Sequence, residues 1–348
     1  MRLLLVGYYG YRNWGDEGCL ASLLQRLPPQ ACVVLSGDPE FTEQTYGVRA
    51  VPRMAFRAVR QAVREADALV FGGGSLLQDV TSLRSLLYYL MLIESGRRAG
   101  KPVWLVGQGM GPFRRATSRW LVRRVLNRLD WISLRDEDSA ERLRALGVRT
   151  SLRVDADLTW ALEPKPPASP LTEGKWVGLA PRAWGDWQVK EAFVALACAL
   201  KAAGYQPLLV PMQESQDRPL CEQIALEAES PVLSPPCHPA ELMGTLARLH
   251  AMVAMRLHGA IFALAQAVPT LCVAYDPKVE ALARQTEMPL VNPQSLTGEA
   301  LVEAWRAFEP QIPALQRTLP DTVHPLKERA TALLEHLAQQ AGLMYNIR

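Results

Sequence analysis

An arginine and a histidine two residues apart, Arg256 and His258, stand where an apolar run gives way to a glycine-led helical pattern. A guanidinium can form a two-bond fork with a carboxylate or a phosphate, and an imidazole can move a proton near neutral pH. The pair could therefore bind an anionic substrate and protonate it. The alternative is an ion-pair arginine at the surface and a histidine that forms hydrogen bonds at the start of a helix.

The pattern around this pair predicts a buried strand over about residues 250–255 and a helix over about 259–267. The run Ala251–Met255 is short and continuously apolar, as in a parallel strand covered on both faces. Ligands of open α/β sheets bind outside the carboxyl ends of the strands. The junction that carries the arginine and the histidine is therefore a candidate site.

The same order of elements recurs in the first half of the chain: a buried strand, a loop rich in glycine or charge, and a helix. Strands are predicted at Leu3–Gly7, Ala68–Phe71, Val103–Val106 and Trp131–Leu134. Such alternation indicates a doubly wound parallel sheet. Glycines follow the first three strands, which suggests that a ligand approaches the backbone along one edge of the sheet.

The first of these loops, Tyr8–Gly18, is followed by a helix predicted at Cys19–Leu27. Backbone N–H groups of a glycine-rich turn and the start of a helix suit an anion. The loop matches neither the dinucleotide fingerprint nor the P-loop. Asn13, Gly15 and Asp16 are therefore either ligand contacts or ordinary turn and cap residues.

The second half of the chain resumes the alternation after a proline-rich segment, Leu162–Pro170. A strand at Trp176–Ala180 precedes Arg182, and a strand at Leu271–Tyr275 precedes Lys278. Helices are also predicted at Pro219–Glu229 and Pro239–Leu246, and a strand at Val232–Leu233. The tail from Thr297 is predicted to be helical with proline breaks.

The pattern predicts an α/β protein of two domains. We expect an N-terminal domain over 1–163, a linker over 164–174, a second domain over 175–320, and a C-terminal helix within 321–348 that could pack on the first domain. Two Rossmann-like, doubly wound domains whose strand ends face a cleft resemble the GT-B glycosyltransferases. Fold alone does not fix function.

Composition excludes several classes of protein. A chain of 348 residues with 49% hydrophobic residues suits two domains, and a net charge of +3 without a nucleic-acid-binding motif does not indicate nucleic acid. Six cysteines without a CxxC spacing predict reduced, buried thiols in a cytoplasmic protein. No apolar run reaches membrane-spanning length, and no His/Asp cluster has metal-ligand spacing, so we expect no metal.

A basic segment runs from Arg97 to Arg128, with nine Lys or Arg residues and no acid. On a helix predicted at about 117–129, Arg119, Arg123, Arg124 and Arg128 share one side, with Trp120 elsewhere. Two interpretations remain open. The side is either a solvated helix face, or a surface for anionic lipid headgroups or a polyphosphate-linked substrate, which would place the protein at the inner face of the plasma membrane.

Five motifs occur in order along the chain. They are Gly7–Glu17 (GYYGYRNWGDE), Gly72–Asp79 (GGGSLLQD), Gly107–Pro112 (GQGMGP), Ser133–Asp136 (SLRD) and Met255–Gly259 (MRLHG). Over about residues 1–285 the sequence resembles the polysaccharide pyruvyl transferases, most closely the CsaB type of bacterial cell-wall polymers. That resemblance implies transfer of a pyruvyl group from phosphoenolpyruvate across O4 and O6 of an N-acetylhexosamine, with N-acetylmannosamine the first candidate, in a lipid-linked glycan. In that family, the modified polymer anchors S-layer proteins.

The resemblance also assigns roles to residues of this chain. It implies that Arg256 holds phosphoenolpyruvate and that His258 is the general acid, with His258 or Asp16 taking the hydroxyl proton. The other predicted substrate-binding residues are Arg135, Arg182, Lys278, Asn13, Gly15, Gly73, Gly74, Ser75, Gln108 and Gly109. Phosphoenolpyruvate is a co-substrate, so no cofactor is expected. The first domain would bind the acceptor and the second the donor.

Two other functions remain open at this point. A nucleotide-sugar glycosyltransferase on the same scaffold would bind a nucleotide diphosphate in the second domain. A non-catalytic adaptor for a glycan or membrane surface would depend on Arg123 and Arg124 of the basic helix and not on His258.

Overall fold

A computed structural model of the chain describes residues 1–80, 82–167, 170–185, 187–292 and 296–343. The chain divides into two compact units. Unit 1 comprises Met1–Leu162 and Leu326–Arg348, and unit 2 comprises Glu163–Pro325. Each unit is built on its own parallel sheet.

Unit 1 contains a seven-stranded parallel sheet. Its strands are β1 (Leu3–Tyr9), β2 (Cys32–Ser36), β3 (Arg49–Pro52), β4 (Ala68–Gly72), β5 (Val103–Gln108), β6 (Trp131–Leu134) and β7 (Ser151–Val154). They lie in the order β3-β2-β1-β4-β5-β6-β7, so the direction of winding reverses between β1 and β4. In doubly wound sheets this switch point is where a crevice opens at the carboxyl ends of the strands.

The sheet of unit 1 is covered by helices. These are α1 (Trp14–Leu24), α2 (Pro39–Tyr46), α3 (Phe56–Glu65), α4 (Leu83–Arg98), α5 (Ala116–Leu126) and α6 (Glu137–Ala145), with short 3-10 turns at Pro29–Ala31 and Leu158–Ala161. Strands β1, β2 and β4 are buried along almost their whole length, which explains their continuous apolar runs.

Unit 2 contains a five-stranded parallel sheet in the order β12-β11-β10-β8-β9. Its strands are β8 (Trp176–Ala180), β9 (Gln206–Leu209), β10 (Ala251–Ala254), β11 (Thr270–Val273) and β12 (Leu290–Val291). Its helices are α7 (Val189–Ala202), α8 (Glu214–Ala228), α9 (Pro239–Leu246), α10 (Leu257–Ala265), α11 (Pro277–Thr286) and α12 (Gly298–Phe308). The prediction of two doubly wound parallel sheets is confirmed.

Some predicted elements differ from the structure. The strand predicted at Val232–Leu233 is a single bridge from Val232 to Leu209. The tail from Thr297 is helical and is interrupted at Pro310, which lies in the 3-10 turn Glu309–Gln311, but not at Pro320 and Pro325, which lie inside the single 29-residue helix α13 (Ile312–Gln340). Buried side chains that include Val323 and Leu326, on either side of Pro325, offset the backbone hydrogen bond that each proline removes.

The remaining fold-level expectations concern cysteines and membranes. Cys198 and Cys237 are exposed, contrary to the expectation of buried thiols, whereas the other four cysteines are buried, and all six are unpaired. Within the described ranges, no helix combines the length and hydropathy needed to cross a bilayer.

Candidate functional site

Arg256 lies between the end of β10 and the start of α10, and its side chain is paired with a buried acid. Its Nε donates to Oδ2 of Asp217 at 2.9 Å and its Nη2 donates to Oδ1 at 2.5 Å. Nη2 also donates to Oε1 of Gln216 at 3.2 Å. Asp217 is 1% exposed and additionally accepts the backbone N–H of Gln213 at 2.9 Å, so the guanidinium has a fixed orientation.

This pairing corrects the expectation that Arg256 offers its fork to a ligand. The fork of Nε and Nη2 is directed at Asp217. In the described part of the chain, no protein acceptor lies within hydrogen-bond distance of the third nitrogen, Nη1. A ligand anion would therefore meet Nη1 of a guanidinium that Asp217 holds in place.

A second cation lies at the end of the neighbouring strand β8. Nη1 of Arg182 donates to the hydroxyl of Tyr275 at 2.6 Å, and its guanidinium carbon lies 4.9 Å from the centroid of that ring. The ring centroid of Trp184 lies 5.6 Å from the same guanidinium carbon. Burial raises the pKa of Tyr275 despite the nearby charges of Arg182 and Arg256, so the phenol stays protonated and can donate.

The remaining predicted residues of unit 2 occupy helix starts at the same edge. His258 is half-buried in the first turn of α10. Lys278 is in the first turn of α11, where its Nζ lies 3.6 Å from Oδ2 of Asp276 and its backbone N–H donates to Oδ1 at 3.0 Å. Because β8, β10 and β11 are neighbours, the structure brings Arg182, Arg256, His258 and Lys278 to adjacent strand ends.

In unit 1, Arg135 is buried at the end of β6 and connects two loops. Its Nε lies 3.1 Å from Asp136, its Nη1 3.5 Å from Asp157, and its Nη2 donates to Oγ of Ser75 at 3.2 Å. Burial opposes its charge, but the two carboxylates outweigh burial and raise its pKa. A Cβ at Gly109 would lie 2.7 Å from Cζ of Arg135, so this glycine is what allows the arginine its position.

Asn13, Gly15 and Asp16 do not form an open loop before a helix at Cys19, because α1 begins at Trp14. Nδ2 of Asn13 donates to Oδ2 of Asp16 at 2.7 Å, and Gly15 is buried in the first turn of α1. Oδ1 of Asp16 lies 2.6 Å from where a Cβ of Gly74 would stand, and Gly74 has φ +73. The structure therefore brings Asp16 onto the glycine loop that follows β4.

The side chain of Gln108, at the end of β5, is hydrogen-bonded to the backbone of the neighbouring strand. Its Nε2 donates to the carbonyl oxygens of Phe71 and Gly73 at 3.0 and 2.5 Å. The amide thus fixes the end of β4 beside β5, with Gly73 at φ +67. The predicted contact between Gln108 and a substrate would have to use its other amide atom.

Glu17 is a buried acid that the sequence analysis did not single out, although it closes the first motif. Its Oε1 accepts the backbone N–H groups of Gly10 and Tyr11 at 2.8 and 3.1 Å, and its Oε2 accepts the hydroxyl of Tyr46 at 3.0 Å. Burial raises its pKa to about 7. Glu17 therefore fixes the backbone of the loop that follows β1.

Arg53, directly after β3, is a second residue without a sequence signal. It is 7% exposed, and its guanidinium carbon lies 4.7 to 5.9 Å from the ring centroids of Tyr8, Tyr11, Tyr88 and Tyr89. It donates to the carbonyl of Gly7 at 3.3 Å and to the hydroxyl of Tyr89 at 3.1 Å. These rings form an aromatic cluster at the switch point between β1 and β4.

We expect Glu17→Gln to remove part of the pH dependence of stability. A carboxyl whose pKa rises on folding from an ordinary 4.5 to about 7 stabilises the protein fully below pH 4.5 and loses that contribution as the pH rises through 7. The loss amounts to about 3 kcal/mol between pH 4.5 and 8. Urea unfolding of the wild type at both pH values should show this loss, and the glutamine variant should lack it.

The matched control is Glu43→Gln, an exposed glutamate that accepts one backbone N–H, from Ala50 at 2.9 Å. It should leave the pH dependence of unfolding as in the wild type. Equal pH dependence in the wild type and in Glu17→Gln would show that Glu17 does not titrate in this range.

Comparisons with known proteins give a family and a fold. A family model described as Polysaccharide pyruvyl transferase matches residues 18–277, well over half of the chain. A search of curated proteins finds no match.

Solved structures of low sequence identity share the GT-B-like fold class and confirm that prediction. S. aureus MnaA with UDP has a TM-score of 0.65 at 10% identity, over 99% of this chain and 98% of that one. UDP-GlcNAc 2-epimerase of Neisseria meningitidis bound to UDP-GlcNAc has a TM-score of 0.60 at 10% identity, over 97% of this chain and 100% of that one. Anabaena Alr3699/HepE with UDP-glucose has a TM-score of 0.61 at 13% identity, over 98% of this chain and 100% of that one.

Proposed function

The chain belongs to the polysaccharide pyruvyl transferase family, and from that premise we propose a specific reaction. The protein moves a pyruvyl group from phosphoenolpyruvate to O4 and O6 of a hexosamine in a lipid-linked cell-wall precursor, and releases phosphate. N-acetylmannosamine is the first candidate for this hexosamine. The enzyme would be of the CsaB type. Its product would be a pyruvylated secondary cell-wall polymer that anchors S-layer proteins.

One observation carries the choice of donor. Arg256, oriented by Asp217, lies at the strand end next to Arg182, and His258 begins the following helix. Phosphoenolpyruvate has a carboxylate and a phosphate, which need fixed cations and N–H donors. Nη1 of Arg256, the Arg182 guanidinium and the first N–H groups of α10 provide donors of this kind. Lys278 at the start of α11 adds a further positive charge for the phosphate.

In the proposed mechanism, His258 protonates the methylene carbon of phosphoenolpyruvate. C2 then becomes oxocarbenium-like, and one sugar hydroxyl forms a bond to it while losing its proton to a base, for which His258 is the candidate in unit 2. The bond from C2 to the phosphate oxygen breaks, and the second hydroxyl closes the ketal. Of the two hydroxyl protons, one balances the proton gained by the methyl group and the other leaves with phosphate.

Unit 1 is the proposed acceptor side. Asp16, Asn13 and Ser75 present polar groups at the carboxyl edge of its sheet, beside the aromatic cluster around Arg53. Sugars are bound by polar groups of this kind together with aromatic ring faces. Arg135, Gln108 and the glycines Gly15, Gly73, Gly74 and Gly109 are proposed to position these groups, because each is buried in, hydrogen-bonded to or packed against the protein itself.

The second candidate is a nucleotide-sugar enzyme, favoured by the UDP-containing proteins that share the fold. Thermal unfolding with phosphoenolpyruvate, UDP or UDP-GlcNAc separates the two candidates, because a ligand that binds the folded state raises the midpoint. We expect phosphoenolpyruvate to raise it and UDP to leave it unchanged. Protection by UDP alone would contradict the proposal.

A further inference from the structure

Unit 1 has a helical face that is both apolar and basic. Side chains of α3, α4 and α5 are buried together in one core cluster with strand residues such as Leu4 and Phe71, so these three helices cover the same face of the sheet. Of the nine large apolar side chains that are exposed in the described part of the chain, five lie on these helices or in the turn before α3: Met54, Phe56, Leu87, Met91 and Trp120. We call this the α3–α5 face.

The exposed residues of α4 and α5 lie on two helices that pack against each other. Both helices run back from the carboxyl ends of their strands, and Nη1 of Arg128, two residues after α5, lies 3.1 Å from Oε1 of Glu94 near the C-terminal end of α4. Leu87 and Met91 lie seven and three residues before Glu94, and Trp120 and Arg124 lie eight and four before Arg128. Leu87 and Met91 are therefore on the side of α4 that carries Glu94, and Trp120 and Arg124 share one side of α5, which packs against α4.

The α3 helix continues this surface at the other end of α4. The hydroxyl of Tyr88 donates to the carbonyl of Arg53, just before Met54 and Phe56, which are 78% and 69% exposed. The solvent side of α3 carries the exposed arginines Arg57, Arg60 and Arg64. The apolar side chains are thus bordered by arginines on both sides.

The charge on this face is only partly balanced within the protein. Glu94 lies within 4.0 Å of Arg97, Arg98 and Arg128, so one carboxylate partly balances the charge of these three arginines. Of the described carboxylates, none lies within 4.0 Å of the guanidinium groups of Arg119, Arg123 or Arg124. The prediction that Trp120 lies away from the basic side is also wrong, because its ring lies 5.4 Å from the guanidinium carbon of Arg124 and is 59% exposed.

We propose that the α3–α5 face binds the surface of a membrane that contains anionic lipid. An exposed tryptophan and exposed Leu, Met and Phe side chains suit the boundary between headgroups and acyl chains, and the unbalanced arginines complement anionic headgroups. The α3–α5 face shares no residue with the strand ends of unit 2 that are proposed to bind phosphoenolpyruvate. This inference does not depend on the reaction proposed above.

The test is co-sedimentation of the full chain with vesicles of phosphatidylcholine, with or without phosphatidylglycerol. We expect binding only with phosphatidylglycerol, weakened by added salt. Each interfacial arginine contributes roughly fivefold in partitioning, so the triple change Arg119→Gln, Arg123→Gln and Arg124→Gln should weaken binding about 100-fold. Phe56→Ser with Trp120→Ser should also weaken it, whereas Leu226→Ser, at an 82% exposed position of unit 2, should not.

The matched charge control is the triple change Arg248→Gln, Arg306→Gln and Arg317→Gln at exposed positions of unit 2, which alters net charge by the same amount. An equal loss of binding in this control would overturn the proposal, because it would show a non-specific charge effect. No binding of the wild type to phosphatidylglycerol vesicles would overturn it as well. So would a dimer in ultracentrifugation that is abolished by Trp120→Ser, without vesicle binding, since a second copy would then cover the face.

Discussion

Replacing His258 with alanine is expected to lower the turnover of pyruvyl transfer by about two to four orders of magnitude. The imidazole stands in the first turn of α10, two residues beyond Arg256, and in the proposed mechanism it delivers a proton to phosphoenolpyruvate held by that arginine. Because its proposed task is proton transfer, the dissociation constant for phosphoenolpyruvate should stay close to the wild-type value. Single-turnover kinetics and calorimetric titration measure the two quantities separately.

The control for this variant lies at the other end of the same strand. His250 precedes β10 and stacks on Tyr205, with ring centroids 5.6 Å apart, away from the carboxyl edge. His250→Ala should keep wild-type turnover. If His258→Ala also keeps it, the histidine has no part in the chemical step.

Changing Arg256 to lysine is expected to weaken phosphoenolpyruvate binding about 100-fold, equivalent to about 3 kcal/mol for lost charge-assisted hydrogen bonds. An ammonium group cannot form the two-bond fork with Asp217 and also present a third nitrogen to a ligand. The variant should also be less stable to urea than the wild type, since the buried carboxylate of Asp217 loses part of the hydrogen bonding that offsets the cost of its burial.

Arg218→Lys is the matched control, because Arg218 is adjacent to Asp217 on α8 but pairs with Glu214. It should bind phosphoenolpyruvate as the wild type does. A wild-type dissociation constant for Arg256→Lys would remove Arg256 from the donor site, whatever the effect on stability.

The parts of the fold that could be predicted from sequence are those set by local pattern. Trp131–Leu134 and Trp176–Ala180 are strands with the predicted bounds, since short apolar runs bounded by loops have few alternatives. The strand that ends before Arg256 was predictable for the same reason. Because parallel strands end at one edge, Arg182 and Arg256 were predicted at strand ends on the same edge, whereas the adjacency of β8 and β10 comes from the sheet order, which the sequence does not encode locally.

The parts that could not be predicted depend on tertiary contacts. Pro219 suggested a helix start, but α8 begins five residues earlier, and so Asp217 was not recognised as the partner of an arginine 39 residues away. Strand β3 has one buried residue in four, too weak a pattern to identify. The aromatic cluster around Arg53 joins side chains from three segments of unit 1, which no local pattern encodes.

The most direct test of the central claim is incubation of the purified protein with phosphoenolpyruvate and a lipid-linked N-acetylmannosamine disaccharide. The account predicts one phosphate released for each glycan modified, and a gain in glycan mass equal to phosphoenolpyruvate less phosphoric acid. Transfer of a sugar from a UDP-sugar to the same glycan, with no mass gain from phosphoenolpyruvate, would contradict it.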